Sequence, residues 1–334
     1  MPTKGQSYGG STYFCTTMAK IGTDINHAKT LLEAGELVGI PTETVYGLAA
    51  NALNEDAVLK IFSAKNRPKF DPLIVHTDTL AKIRPFVRHL PQAALALADR
   101  FWPGPLTLLL PKTDLITDLV TSGLDTVAVR VPAHPLTHRL LASLAFPLAA
   151  PSANPFGYIS PTTAQHVEDQ LGNEIKYILD GGQSSIGIES TIVGFEDETA
   201  VVYRLGGLAL EHIEAVIGQV RVRAHSTSNP QAPGMLQSHY APRKKLFIAD
   251  LEKIITHYGA EQVSYLGFAE YCPDLPLANQ LLLSGSGNYN EAAKNLFAHL
   301  RQLDSAPTRV IFAQLLPEAN LGRAINDRIR RAGA

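Results

Sequence analysis

The chain has 334 residues, 45% hydrophobic and 18% charged, with a net charge of -2. That length points to two cores rather than one, and the composition excludes a disordered or fibrous chain. A near-neutral balance excludes a global pull toward nucleic acid or anionic membrane, so any polyanion site must be local.

Cys15 and Cys272 are the only cysteines. They argue against a disulfide framework or a cysteine zinc site and fit a reducing, cytoplasmic setting. No apolar run approaches the ~20 residues of a membrane span. Residues 1–19, rich in Gly, Ser, Thr and Tyr, read as a disordered leader without a signal core.

Asp24 is placed to cap a helix ending at Gly35, and Leu37-Val38-Gly39-Ile40 reads as a short buried strand. Thr42-Glu43-Thr44 then sits at a strand exit, where α/β proteins commonly hold ligands. Asn54 caps the next helix, which delivers Lys65-Asn-Arg67-Pro-Lys69-Phe-Asp71. The prolines predict an extended segment here, with Lys65, Arg67 and Lys69 on one side as a polyphosphate grip. A solvated basic loop is the competing reading of this stretch taken alone. Leu73–His76, Leu106–Leu110 and Thr126–Val131 read as further strands, and Ile175–Leu179, Ile188–Val193 and Val201–Leu205 follow as apolar runs. Helices are expected over 93–101, 135–145, from Thr162 or Thr163 to 171, and over 210–217.

Periodicity collapses over 223–243, which reads as a Pro-rich linker. Beyond it, strands near 246–248, 263–266, 281–283 and 309–312 alternate with helices over 251–258, 289–303 and a basic 322–331. That rhythm predicts a small parallel α/β domain over 244–334, following a larger domain over 20–222.

The sequence holds no P-loop, no G-x-G-x-x-G, no nucleophile elbow and no H-E-x-x-H. Ser152 reads as a turn serine and His76 as a half-buried strand histidine. Arg130, inside T-V-A-V-R-V, is costly to bury unless it meets a structural or a ligand carboxylate. Glu189-Ser190-Thr191 and Arg204 pose the same question. Thr44, Lys65, Arg67, His76, Arg130, Ser152, Asn154, Ser190 and Arg204 all fall at or near strand ends. Cations and hydroxyls without a nucleophile–base pair suit nucleotide activation by positioning and charge neutralisation.

G-I-P-T-E-T-V-Y-G, A-K-N-R-P-K-F-D-P-L-I-V-H, V-A-V-R-V-P, A-P-S-A-N-P-F-G, E-S-T-I-V and R-L-G-G occur in this order over about residues 20–220. Together they resemble the YrdC-like family, whose Lys-x-Arg and Ser-x-Asn pairs match Lys65/Arg67 and Ser152/Asn154. P-G-M-L-Q-S-H-Y-A-P and the small domain after it resemble that family's two-domain branch. The resemblance implies a twisted mixed sheet with flanking helices, followed by a smaller Rossmann-like parallel domain.

It also implies synthesis of L-threonylcarbamoyl-AMP from L-threonine, bicarbonate or CO2 and ATP, for N6-threonylcarbamoyl modification of tRNA adenosine 37. Carried over by motif, Thr44, His76, Arg130 and Ser190 hold threonine. Arg67, Asp71, Thr126, Ser152, Asn154, Ser160, Arg204 and the linker's Tyr240 hold ATP, with Lys65 and Arg67 as the catalytic cations. Asp71 stands where many relatives carry Asn. Mg2+ is expected on the ATP phosphates rather than on protein side chains, and the product is expected to pass to the tRNA threonylcarbamoyl-transferase machinery. The alternative is a double-stranded RNA or tRNA-binding protein using the same basic cavity. The net charge speaks against a purely RNA-binding role.

Overall fold

The computed structural model describes residues 18–223, 232–235 and 239–334. Most of the expected leader, and Leu236-Gln237-Ser238 of the linker, lie outside the described residues.

The strands of the larger part are β1 (Lys20–Gly22), β2 (Val38–Ile40), β3 (Gly47–Asn51), β4 (Ile74–His76), β5 (Leu106–Pro111) and β6 (Thr126–Arg130). They continue with β7 (Leu148–Ala149), β8 (Tyr177–Leu179), β9 (Thr191–Glu196), β10 (Thr199–Arg204) and β11 (Arg221–Val222). The helices are α1 (Ile25–Glu33), α2 (Glu55–Lys65), α3 (Leu80–Ile83), α4 (Gln92–Phe101), α5 (Asp118–Thr121), α6 (Pro135–Ser143), α7 (Ala164–Leu171) and α8 (Leu210–Ile217). One mixed sheet runs β1-β8-β2-β3-β7-β4-β6-β5-β9-β10-β11.

The sheet's two faces are covered differently. Ile61 and Phe62 of α2, Leu97 of α4, Val167 of α7 and Ile213 of α8 pack into one core with Leu48, Val75, Leu108 and Val129. On the other face, Leu32 of α1 and Leu140 of α6 cover only the β8-β2-β3-β7 end. Over β4, β5, β6, β9 and β10 that face is closed by the linker, whose Ala232 and Met235 pack on Ile74, Leu109, Ala128, Ile192 and Tyr203. Ala232 and Met235 of the linker are therefore part of a core.

The smaller part carries β12 (Lys245–Phe247), β13 (Val263–Gly267), β14 (Gln280–Leu282) and β15 (Val310–Ala313). Its helices are α9 (Leu251–Tyr258), α10 (Tyr289–Ser305) and α11 (Gly322–Ala332). The order is β12-β15-β13-β14, with every pairing parallel. Leu296, Phe297 and Leu300 of α10 and Ile325 and Ile329 of α11 share a core with Val45, Ile159, Ile188 and Tyr240, so the two parts are packed into each other.

Three local expectations are corrected. Gly47–Asn51 is a strand pairing antiparallel to β2, where only a strand exit was foreseen; G-L-A-A-N lacks the β-branched residues that mark strands. The short edge strands β1 and β11 carry little signal of their own. Lys65 ends α2 instead of opening an extended segment, because Asn66 adopts the left-handed C-cap conformation (φ 51°) and turns the chain.

Candidate active site

The cavity lies where the linker crosses the sheet face between the carboxyl end of β4 and the start of β9. In parallel β4 and β6 the residues His76 and Arg130 are register partners, so both end at one edge of the sheet. Antiparallel β5 sets Thr107 opposite Arg130, and the Thr107 hydroxyl lies 2.7 Å from the Ser190 hydroxyl. Thr42 and Thr44, on the turn between β2 and β3, share a 2.7 Å hydroxyl contact. Thr42, Thr44, His76, Arg130 and Ser190 line a narrow cavity of about 50 Å³ together with Arg67, Ser152, Glu189, Arg204, His239 and Tyr240.

Each cavity arginine is held by the protein. The Arg130 Nη2 donates to Glu43 Oε1 at 2.6 Å and its Nε to the Gly104 carbonyl at 3.2 Å. Glu43 Oε2 accepts from the Ala133 amide at 3.1 Å. The carboxylate foreseen for Arg130 is thus at least in part structural. Arg67 pairs with Asp71 at 2.9 Å and donates to the Pro72 carbonyl at 2.8 Å. Arg204 donates to the Ser190 carbonyl and hydroxyl, both at 3.0 Å. Burial pushes Arg204 down to about 10 despite nearby Tyr240 and Glu189, and it lowers Arg67 as well. His76 falls to about 3, first from burial and then from Arg130, so its ring is neutral at physiological pH.

Eight sequence-predicted residues meet at the cavity: Thr44, Arg67, His76, Arg130, Ser152, Ser190, Arg204 and Tyr240. The other five do not line it. Lys65 is 1% exposed and its Nζ donates to the Ser152 and Asn154 carbonyls, fixing the Ser-x-Asn loop from behind. Burial first, and Arg67 second, pushes the Lys65 ammonium well below its usual range. Asn154 bonds the Pro155 and Tyr158 carbonyls at 2.8 and 2.9 Å. Ser160 donates to Glu189 Oε1 at 2.6 Å. Asp71 faces Arg67, and Thr126 starts β6, at the opposite end of that strand from Arg130. The polyphosphate grip drawn from one extended stretch is corrected accordingly: Arg67 lines the cavity, Lys65 is a loop clamp and Lys69 is exposed.

Tyr240 is 1% exposed and adopts φ +68°, a conformation costly for a non-glycine residue. Its ring stacks on Phe297 of α10 at 5.4 Å, lies edge-on to His239, and has Arg328 and Arg331 of α11 over it at 5.3 and 4.9 Å. Arg328, wholly buried, also reaches Glu189 Oε2 at 3.1 Å. The helix expected to be merely basic therefore braces the cavity.

Sequence reasoning places Thr42 and Glu43 at a ligand-holding strand exit without giving either a role, and it misses His239 and Arg328. Glu43 had a signal, since a buried strand arginine calls for an acid and Glu43 stands at a strand exit. Arg328 had little, because I-N-D-R-I-R-R reads equally as a solvated face. Three guanidinium groups among hydroxyls, without a nucleophile–base pair, give the cavity the means to neutralise an anion. Among the described residues no cluster of His, Cys, Asp or Glu is arranged to hold a metal ion. No described helix is long and apolar enough to cross a membrane.

The Sua5–YciO–YrdC family model, described as "Telomere recombination", matches residues 30–206. A second, "Threonylcarbamoyl-AMP synthase, C-terminal domain", matches 208–334. The threonylcarbamoyl-AMP synthase of Pyrococcus abyssi is 41% identical over 323 residues, covering 92% of this chain and 93% of that protein. The Bacillus subtilis protein of the same name is 40% identical over 319 residues, covering 92% of each. The crystal structure of P. abyssi Sua5 complexed with L-threonine matches with a TM-score of 0.85 at 40% identity, over 92% of this chain and 94% of that one.

Proposed function

The chain belongs to the Sua5–YciO–YrdC family in its two-domain form, and on that premise we propose how its cavity makes L-threonylcarbamoyl-AMP from L-threonine, bicarbonate or CO2 and ATP. The enzyme is a nucleotidyltransferase that releases pyrophosphate, and its product serves N6-threonylcarbamoyl modification of tRNA adenosine. The setting is cytoplasmic, and the product passes to the transferase machinery that acts on tRNA.

The observation that carries the reading is the convergence of Arg130, His76, Thr44 and Ser190 at one end of the cavity, with Arg67, Ser152 and Arg204 around the rest. Glu43 takes one Nη2 hydrogen of Arg130 and Gly104 takes its Nε hydrogen, which leaves the Nη1 hydrogens and the second Nη2 hydrogen as donors for the threonine carboxylate. The Thr44 and Ser190 hydroxyls receive the polar remainder of the amino acid, and neutral His76 adds no second cation beside its amine.

The free amine adds to CO2, gives up one N–H proton to solvent and forms an N-carboxylate. A carboxylate oxygen then attacks the α-phosphorus in line, the bond to the β-phosphate bridging oxygen breaks, and pyrophosphate leaves with that electron pair. Arg67 and Arg204 neutralise charge on the phosphates as it shifts to the leaving group. ATP enters as its Mg2+ complex, the metal carried by the phosphates. Tyr240 and His239 cap the cavity and keep water from the labile carbamate. The net charge of -2 speaks against the duplex RNA alternative, and the relatives matched over the whole chain are named threonylcarbamoyl-AMP synthases.

The test is pyrophosphate release with each substrate omitted in turn. Release that needs threonine, bicarbonate and ATP together is expected; release without threonine or bicarbonate, or none at all, overturns the reading.

A further inference from the structure

We propose that the smaller domain carries a second small-molecule site, a crevice for an uncharged ribonucleoside outside the carboxyl ends of β13 and β15. These strands are parallel neighbours, yet the chain leaves them toward opposite faces of the sheet. Beyond β13 Phe268 first packs on the α10 side, and the chain then crosses to the α9 side, where Leu275 packs with Ile254 and Val263. Beyond β15 it runs to the α10–α11 side, where Leu316 and Leu321 pack with Leu296 and Ile325. A doubly wound sheet opens a ligand crevice where adjacent strand connections diverge in this way.

The structure has a cavity of about 350 Å³ at that point, walled by Phe268 and Glu270 on one loop and by Gln314, Leu315, Leu316 and Pro317 on the other. The walls are built and held. Gln314 Oε1 accepts from the Phe268 amide at 3.0 Å and from the Tyr265 hydroxyl at 3.2 Å, which leaves the Gln314 amide nitrogen as a donor. Wholly buried Asn326 of α11 fixes the second wall, accepting from the Leu316 amide and donating to its carbonyl, both at 2.8 Å.

The crevice thus presents the half-buried ring of Phe268, which is tilted against Tyr289 at 5.4 Å, together with an amide donor and an exposed carboxylate. A base stacked on Phe268 and a ribose diol donating to Glu270 match those three groups. Among the described residues lining it there is no cation, and Glu270 would repel a phosphate. The ligand class is therefore nucleoside rather than nucleotide, the reverse of the arginine-lined catalytic cavity.

The test is calorimetric titration of the full chain with adenosine, guanosine, cytidine and uridine, the catalytic cavity kept saturated with α,β-methylene-ATP and L-threonine. At least one nucleoside is expected to bind at one per chain. Its 5′-monophosphate and the Glu270→Ala protein should each weaken binding at least about tenfold. No saturable binding by any of the four, equal binding of nucleoside and monophosphate, or an affinity unmoved by Glu270→Ala overturns the proposal.

Discussion

Arg328 of α11 donates from Nε to Glu189 Oε2 at 3.1 Å, so the last helix of the smaller domain neutralises a carboxylate in the wall of the larger domain's cavity. Burial alone would raise the Glu189 carboxyl. Arg328, Arg204 and the Ser160 hydroxyl outweigh it and hold the group below its usual range. Removing one partner of a buried pair leaves an uncompensated charge and costs roughly 3–5 kcal/mol. Arg328→Met should therefore lower the melting temperature markedly, and adding Glu189→Gln should recover part of the loss. Additive losses in that double-mutant cycle would show that the two side chains are not coupled.

The same pair sets an acid limit, and two histidines set an earlier one. His76 is depressed to about 3 by burial and Arg130, and His239 is depressed by burial and by Arg331, Arg67, Lys65 and Arg328. An unfolded histidine takes up its proton near pH ~6.5 while the folded one refuses it. Below that pH the unfolded state binds more protons, so stability is fully present above ~6.5 and declines as pH falls toward the folded values. Glu189, with a lowered folded value, adds its own loss only below the usual carboxylate range. Melting temperatures at pH 7.5, 6.5 and 5.5 should already fall across the last interval. A flat profile to pH 5 would contradict the buried neutral histidines.

Lys65 and Arg67 belong to one sequence motif but predict different failures. Lys65→Met removes the donor to two loop carbonyls, each costing about 1–3 kcal/mol when buried unpaired, so stability and activity should fall together. Arg67→Ala exposes buried Asp71, so its thermal loss should be relieved by adding Asp71→Asn while pyrophosphate release stays low. Recovery of activity in that double variant would remove Arg67 from the phosphate role.

The contrast shows what the sequence could and could not say. Hydrophobic alternation and the capping residues Asp24, Asn54 and Thr163 located most helices and strands, because those signals are local. Strand-end residues such as His76 and Arg130 were legible as a site, since a buried strand arginine demands a partner. Lys65 reads from the sequence as a cavity residue, because its burial behind the Ser152 loop depends on contacts 87 residues away. Arg328 was passed over for the same reason: its partner Glu189 lies 139 residues upstream, and nothing local distinguishes a bracing arginine from a solvated one.

Arg130 separates threonine from ATP. Glu43 already pairs with it, so Arg130→Ala combines a lost ligand contact with an unpaired buried acid. Pairing it with Glu43→Gln restores charge balance and isolates the ligand effect. In that double variant the KM for threonine should rise by at least about tenfold, the loss of a charged hydrogen bond, while the KM for ATP moves little. Equal increases for both substrates would place Arg130 elsewhere in the reaction.

Tyr240 is the residue through which the linker and the smaller domain both reach the cavity. Its ring is stacked on Phe297 and faced by two arginines, and all of those contacts survive removal of the hydroxyl. Tyr240→Phe should therefore keep nearly full stability and most activity. Tyr240→Ala loses the stack and opens the cover, admitting water to the carbamate before it reaches phosphorus. The expected signature is a fall in kcat together with a lower yield of threonylcarbamoyl-AMP per ATP consumed, measured by chromatography of single-turnover mixtures. An unchanged yield with a raised KM for ATP alone would make Tyr240 a nucleotide contact and not a cover.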